Sequence, residues 1–149
     1  INMENYLSRT QIQDLSKYFK IQSHSHSHPN HLLLNDSEIR QEGMISKQYI
    51  ENITGNSVKS YAFPGGDFSF RNIKILAEIG YREFFTSVPL FFTRNLRYNG
   101  VTFNIHGRVE VFGPGFPTIE RYYSLSVKYR RLLRHIYGFS NRYIRSRLK

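Results

Sequence analysis

The chain has 149 residues, enough for one domain with its own core, and 40% of them are hydrophobic, an ordinary share for a globular protein. It contains no cysteine, which excludes disulfides, thiolate metal ligands and a cysteine nucleophile. No apolar run approaches the length of a membrane span and no signal peptide is recognisable. These features leave the cellular compartment open.

The formal net charge of +10 is concentrated at the end of the chain. Residues 120–149 carry nine Lys or Arg and one acid, whereas the residues before them carry twelve basic and ten acidic groups. We therefore divide the chain into a domain of residues 1–119 and a basic helical tail of residues 120–149. The tail is either a solvated helix face or a contact for an anionic surface, and nothing in it indicates a specific nucleic-acid site.

Three helices are predicted from apolar residues that recur at helical spacing behind a polar capping residue. With their candidate caps and ends, they run from Ser8 or Thr10 to Phe19, from Asn35 or Asp36 to Gly55, and from Asp67 or Ser69 to Gly80. A further helix is predicted in the tail, over residues 122–138.

Short strands are predicted between these helices, over residues 20–23, 58–63, 82–86 and 101–111. The alternation of helix and strand predicts an α/β fold with mostly parallel strands. In such folds, functional groups collect at the carboxyl ends of the strands and in the loops that follow them.

Four of the six histidines lie in residues 23–31, which read Ser-His-Ser-His-Ser-His-Pro-Asn-His. Imidazole is the commonest protein ligand for zinc and similar metals. Two histidines four residues apart can converge on one ion if the chain bends, whereas an extended segment would place His24, His26 and His28 on one face. A solvated histidine tract is the alternative, but apolar residues on both sides embed this one in the fold. We therefore predict a metal site, with zinc as the preferred divalent ion.

Two segments resemble motifs of the NodB-homology polysaccharide deacetylases, carbohydrate esterase family four. Residues 21–29 are similar to the second motif, His-[Ser/Thr]-x-x-His after a short strand. Residues 61–68, Tyr-Ala-Phe-Pro-Gly-Gly-Asp-Phe, with the helix and Gly-Tyr pair that follow, resemble the third motif. The resemblance covers roughly residues 6–115. It implies an incomplete distorted β/α barrel and a metal-dependent hydrolase that removes acetyl groups from an oligo- or polysaccharide.

The same resemblance implies a role for several residues. His24 and His28 would be the metal ligands, and Ser25 would support their loop. The backbone N–H of Gly65 would stabilise the oxyanion of the tetrahedral intermediate. His106 is similar in position to the late general-acid histidine of the family, although the Gly-Arg-Val after it resembles relatives without that acid. Residues predicted to bind the substrate are Tyr61, Phe63 and Pro64, whereas His26 and His31 fall outside the motif.

The family's first motif, a strand ending in Phe-Asp-Asp, has no counterpart in this sequence. It would supply the catalytic base and the third ligand, and we expect it upstream of Ile1. Without its first strands, the domain would present an open sheet edge that favours association with another copy. The third motif also has Ala62 where many relatives have arginine. Two alternatives stay open: an inactive sugar-binding remnant, and a nucleic-acid or membrane-surface protein acting through its basic tail.

Overall fold

The computed structural model describes residues 6–86 and 94–107. The helices and strands of these residues are α1 (Arg9–Ser16), α2 (Asp36–Thr54), β1 (Ser60–Ala62), α3 (Phe70–Glu78), β2 (Glu83–Thr86), β3 (Arg94–Tyr98) and β4 (Val101–Gly107). None of these helices is long and apolar enough to cross a membrane. The predicted tail helix and the division between residues 119 and 120 lie outside the described residues.

Each helix begins at a side chain that accepts a hydrogen bond from the first helical turn. Ser8, Asn35 and Ser69 are the caps, and each forms a reciprocal capping box with the residue three positions later. Helix α2 ends at Gly55, whose φ of 69° is left-handed and suits glycine. The three helices predicted for the domain are therefore confirmed. Asp36, the alternative cap for α2, instead forms an ion pair with Arg71 of α3.

The four strands form one sheet in the order β1-β2-β4-β3. Strands β1, β2 and β4 run parallel, and β3 is antiparallel to β4. Ser23 forms an isolated parallel bridge to Tyr61 of β1, so the predicted strand over residues 20–23 is reduced to this bridge. The mixed α/β class and the mostly parallel sheet are confirmed, and closure of the sheet into a partial barrel remains a prediction.

Strand β3 was not predicted from the sequence. It forms a hairpin with β4 through Asn99 and Gly100, whose φ values of 47° and 77° are those of a type I′ turn. The strand predicted over residues 101–111 is observed from Val101 to Gly107, and its last four residues lie outside the described ranges.

The core lies between the helices and the sheet face formed by Tyr61, Phe84 and Ile105. Aromatic side chains fill much of it, because they bury the most apolar area per residue. Helix α2 approaches α3 closely at Gly43, where an added Cβ would come within 2.5 Å of the Leu76 side chain. The opposite face of the sheet is more polar and half-buried. The loops at the carboxyl ends of the strands therefore extend from a sheet with one packed face and one more polar face.

Candidate functional site

Two of the segments singled out from the sequence meet at one edge of the sheet. The histidine loop, residues 24–28, follows the bridge residue Ser23, and the Pro64–Gly66 turn follows β1. Because Ser23 and β1 are paired in parallel, both segments leave the sheet at the same edge. Nδ1 of His24 lies 2.9 Å from the carbonyl oxygen of Ala62 in β1, so the loop is bonded directly to the strand beside it.

The rings of His24 and His28 face each other edge to face, with centroids 4.9 Å apart. A carbonyl oxygen can only accept, so Nδ1–H of His24 donates to Ala62 and this bond assigns the tautomer. In the neutral ring, Nε2 then carries the lone pair. An imidazole held by its other nitrogen in this way is typical of a metal-binding histidine. Both side chains are exposed, as is His26 between them.

The loop is bent rather than extended. Ser25 and His28 have φ values of 73° and 60°, in the left-handed region that residues other than glycine rarely adopt. The bend turns His28 back toward His24, so the extended arrangement with three histidines on one face is not observed. The two histidines singled out by the resemblance are therefore the two that the fold brings together.

Glu42 of α2 is a residue of this site that the sequence reasoning missed. Its carboxylate accepts hydrogen bonds from the Ser25 hydroxyl, from the Ser27 hydroxyl at 2.6 Å, and from the backbone N–H groups of His26 and Ser27 at 2.8 and 2.9 Å. Burial by itself would raise the pKa of Glu42, but these bonds outweigh it and hold the pKa at about 2. The side chain is therefore an ionised carboxylate enclosed by neutral donors.

A signal for Glu42 was available in the helical spacing. It lies three residues after buried Ile39 and four before buried Ser46, so it belongs to the side of α2 that faces the sheet. A carboxylate at such a position is unusual unless it has partners, because burying an unpaired charge is costly. Helical spacing alone does not indicate which donors meet this carboxylate.

His31 has a different environment from the rest of the cluster. It is 0% exposed, and its Nε2 lies 2.6 Å from the Tyr61 hydroxyl. Its Nδ1–H donates to the carbonyl of Pro29 at 3.1 Å, so Nε2 accepts from the tyrosine. Burial lowers the pKa of His31, which keeps the ring neutral. It is a hydrogen-bonded core residue.

The structure places Tyr61, Phe63 and Pro64, the residues predicted to bind the substrate, in the core. Tyr61 and Phe63 are each 0% exposed, and Pro64 is also buried. The Tyr61 ring packs edge to face on Tyr81 with centroids 5.0 Å apart, and Phe63 stacks on Phe84 at 6.0 Å. Side chains alternate between two faces along extended chain, so Tyr61 and Phe63, two residues apart, both fall on the core side, where they stabilise the fold.

Gly65 occupies the exposed tip of the Pro64–Gly66 turn, which is closed by a bond from the Gly66 N–H to the Phe63 carbonyl at 2.9 Å. Its φ of 62° is left-handed, and an added Cβ would meet no atom within 4 Å. Open space therefore lies on the side of Gly65 where a side chain would point. The role of its N–H as an oxyanion donor stays a prediction.

His106 lies on β4, and its ring bonds to Glu83 of β2 with Nε2 and Oε2 2.5 Å apart. The ring also stacks on Phe85 at 4.6 Å. Ala62, Phe85 and His106 are register partners across β1, β2 and β4, so the backbones of Ala62 and His106 are about 10 Å apart at ordinary strand spacing. His106 therefore lies in the same row of register partners as Ala62, the residue whose carbonyl accepts a hydrogen bond from His24.

The described residues fit two ligands of a metal centre and not three. His24 and His28 offer imidazole nitrogens, the ligand type that zinc accepts readily. Within residues 6–86 and 94–107, no group of three or more His, Cys, Asp or Glu could hold a metal ion. The oxygens of Glu42 are already engaged by the loop.

Comparison with known proteins identifies the family of the chain. The sequence model of the polysaccharide deacetylase family matches residues 3–84, which is more than half of the chain. The chain belongs to the polysaccharide deacetylase family. No curated protein matches it. Among solved structures, a polysaccharide deacetylase from Bacillus cereus aligns with 83% of the chain at 21% identity and a TM-score of 0.63.

A second solved structure, the Streptococcus pyogenes deacetylase PplD in complex with acetate, aligns with 57% of the chain at 20% identity and a TM-score of 0.54. At these identities the two structures show that this family member shares their fold. The chain spans 38% of the length of each of them.

Proposed function

We propose that this chain supplies two metal ligands, His24 and His28, to the active site of a carbohydrate deacetylase. The observation that carries the proposal is the pair of facing imidazoles, with His24 held through Nδ1 by Ala62. This pair lies at the carboxyl edge of a mostly parallel sheet, where functional groups of such folds collect. Membership in the polysaccharide deacetylase family supports the reaction class.

A divalent metal, zinc for preference, would polarise the acetyl carbonyl and lower the pKa of a bound water. The chain's own residues would bind the metal and orient the reacting groups. Ser25 would keep the loop bent, and the Gly65 N–H would donate to the oxyanion. His106, held by Glu83, would hold the proton for the leaving group. The third ligand and the base that activates water would come from outside the described residues.

The proposed substrate is an acetylated oligo- or polysaccharide. The family name supports a carbohydrate, and the related Streptococcus pyogenes structure contains acetate, the product that hydrolysis of an acetyl group would release. The alternative is that the chain binds such a sugar without hydrolysing it. The two are separated by whether acetate is released.

The test measures zinc binding by calorimetry and acetate release from N-acetylated chitooligosaccharides. We expect His24→Ala and His28→Ala each to weaken zinc binding by about 100-fold or more, because each removes a direct ligand. His26→Ala is the matched control, since it removes an exposed imidazole of the same loop, and we expect it to leave affinity unchanged. Equal affinities in all three variants would contradict the metal site.

Acetate release decides between the two activities. A parent chain that binds zinc and sugar but releases no acetate would favour the sugar-binding alternative for this part of the protein. If acetate is released, His106→Ala should slow it by roughly 10²- to 10⁴-fold, as loss of a proton donor does. An unchanged rate would remove His106 from the mechanism.

A further inference from the structure

We infer that Glu42 is a positioning residue, which holds the histidine loop in the conformation where His24 and His28 face each other before a metal is present. The inference rests on the proposed function in taking these two histidines as ligands. Glu42 lies on α2, and its carboxylate contacts every residue between the two histidines.

Both carboxylate oxygens take part. Oε2 accepts the Ser25 hydroxyl and the consecutive backbone N–H groups of His26 and Ser27, the latter two at 2.8 and 2.9 Å. Oε1 accepts the Ser27 hydroxyl at 2.6 Å. Consecutive N–H groups that converge on one oxygen form an anion-binding concavity of the kind that backbone turns offer to external anions. In this chain the anion comes from the protein itself.

The loop needs such an anchor because its backbone is strained. Ser25 and His28 both have left-handed φ values, and such conformations persist only where surrounding contacts impose them. Glu42 bonds to Ser25 itself and to Ser27, the residue directly before His28. Without these bonds, both strained residues can relax toward extended backbone, which separates the two imidazoles.

The loop is held from two directions. Ala62 of β1 fixes the ring of His24, and Glu42 fixes the three residues that follow. Both anchors belong to packed elements, because α2 contributes buried Ile39 and Ser46 and β1 contributes buried Tyr61. Ser27 occupies a variable position of the family motif, and it donates to Glu42 through both its backbone N–H and its hydroxyl. These two bonds give a physical reason for serine at this position of the loop.

The experiment compares Glu42→Gln with Glu78→Gln in the full chain. Glu78 is an exposed carboxylate of α3, so the control makes the same charge change away from the loop. In Glu42→Gln, one acceptor oxygen becomes an NH₂ group that cannot accept. In the metal-free protein, we expect faster hydrogen exchange at the amides of residues 26 and 27, and no such change in the control.

Metal binding supplies the second measurement. We expect Glu42→Gln to weaken zinc affinity by about 10- to 100-fold, the usual cost of removing a group that orients ligands, and to alter the visible absorption spectrum of bound Co²⁺. Ser27→Ala, which removes one hydroxyl donor and spares the carboxylate, should shift the same readouts in the same direction by less. A single cooperative unfolding transition in both Glu42→Gln and the control would show that the fold is retained.

Exchange rates and zinc affinity equal in Glu42→Gln and Glu78→Gln would overturn the inference. Weaker zinc binding with unchanged exchange would also overturn it, because Glu42 would then act through its charge and not by holding the loop. If exchange accelerates while the parent chain binds no zinc, the inference about Glu42 stands and the proposed function fails.

Discussion

Two parts of one histidine cluster have opposite environments in this fold. His24 and His28 are exposed and face each other, whereas His31, three residues after His28, is 0% exposed and neutral in the core. The exposed pair has ring nitrogens available to a metal. The nitrogens of His31 are both used, one by the Pro29 carbonyl and one by the Tyr61 hydroxyl.

Strand β1 produces this difference. Tyr61 directs its side chain into the core, where it bonds to His31, and the carbonyl of the next residue, Ala62, accepts from His24. Two adjacent residues of β1 therefore hold His31 in the core and His24 at the surface. Histidine density in a sequence therefore indicates a candidate site, whereas the hydrogen-bond partner of each ring determines the role of that ring.

Replacing His31 is expected to give the largest loss of stability. His31→Ala removes a fully buried ring and leaves the Tyr61 hydroxyl without its acceptor, which together should cost about 3 kcal/mol of unfolding free energy. His26→Ala, at an exposed position, should cost less than about 0.5 kcal/mol. Urea unfolding measures both. Similar losses in the two variants would break the contrast between the buried and exposed histidines.

A smaller effect is expected from removing only the hydroxyl that His31 accepts. Tyr61→Phe keeps the ring in the core but leaves Nε2 of His31 buried without a donor, at a cost of about 2 kcal/mol. Tyr49→Phe, at a residue 56% exposed on α2, is the matched control and should be neutral. If Tyr61→Phe is as stable as the control, the bond to His31 contributes nothing and its short distance has no energetic meaning.

Local sequence signals were sufficient for the helices and for most of the sheet. Capping residues and terminal glycines are read from one turn of chain, and Ser8, Asn35, Ser69 and Gly55 act as predicted. Strand β3 was missed although its turn carries Asn99-Gly100, the strongest short-range hairpin signal in the chain. The alternating residues of β3 were too few to indicate a strand by themselves.

The site was only partly predictable, because its contacts join distant residues. The pairing of His24 with His28 followed from the resemblance to a family motif, but the bonds of Glu42 to Ser25 and Ser27 span 17 and 15 residues. Tyr61 and Phe63 were assigned to the substrate because they belong to a motif. Which face of β1 they occupy depends on strand register, and a shift of one residue would have exchanged the two faces.

The smallest expected effect is on the pH dependence of the unfolding free energy, to which buried His31 and the Glu42 carboxylate of the exposed loop contribute differently. Burial holds the pKa of His31 below its usual 6.5, so its contribution to stability is complete above that value and is lost as pH falls below it. Glu42, with a pKa of about 2 against 4.5, contributes fully above 4.5 and loses that contribution as pH falls toward 2. Since Glu42 is only half-buried, solvent screening should reduce its effect to about 1 kcal/mol.

Unfolding free energies at pH 7.5, 5 and 3 should therefore show a loss of stability in each interval. His31→Ala should reduce the loss between pH 7.5 and 5, and Glu42→Gln should reduce the loss between pH 5 and 3. Because the charge of Glu42 raises the pKa of His31, Glu42→Gln should also enlarge the loss that His31 causes below pH 6.5. If Glu42→Gln leaves the upper interval unchanged, solvent screens the charge of Glu42 from the buried ring.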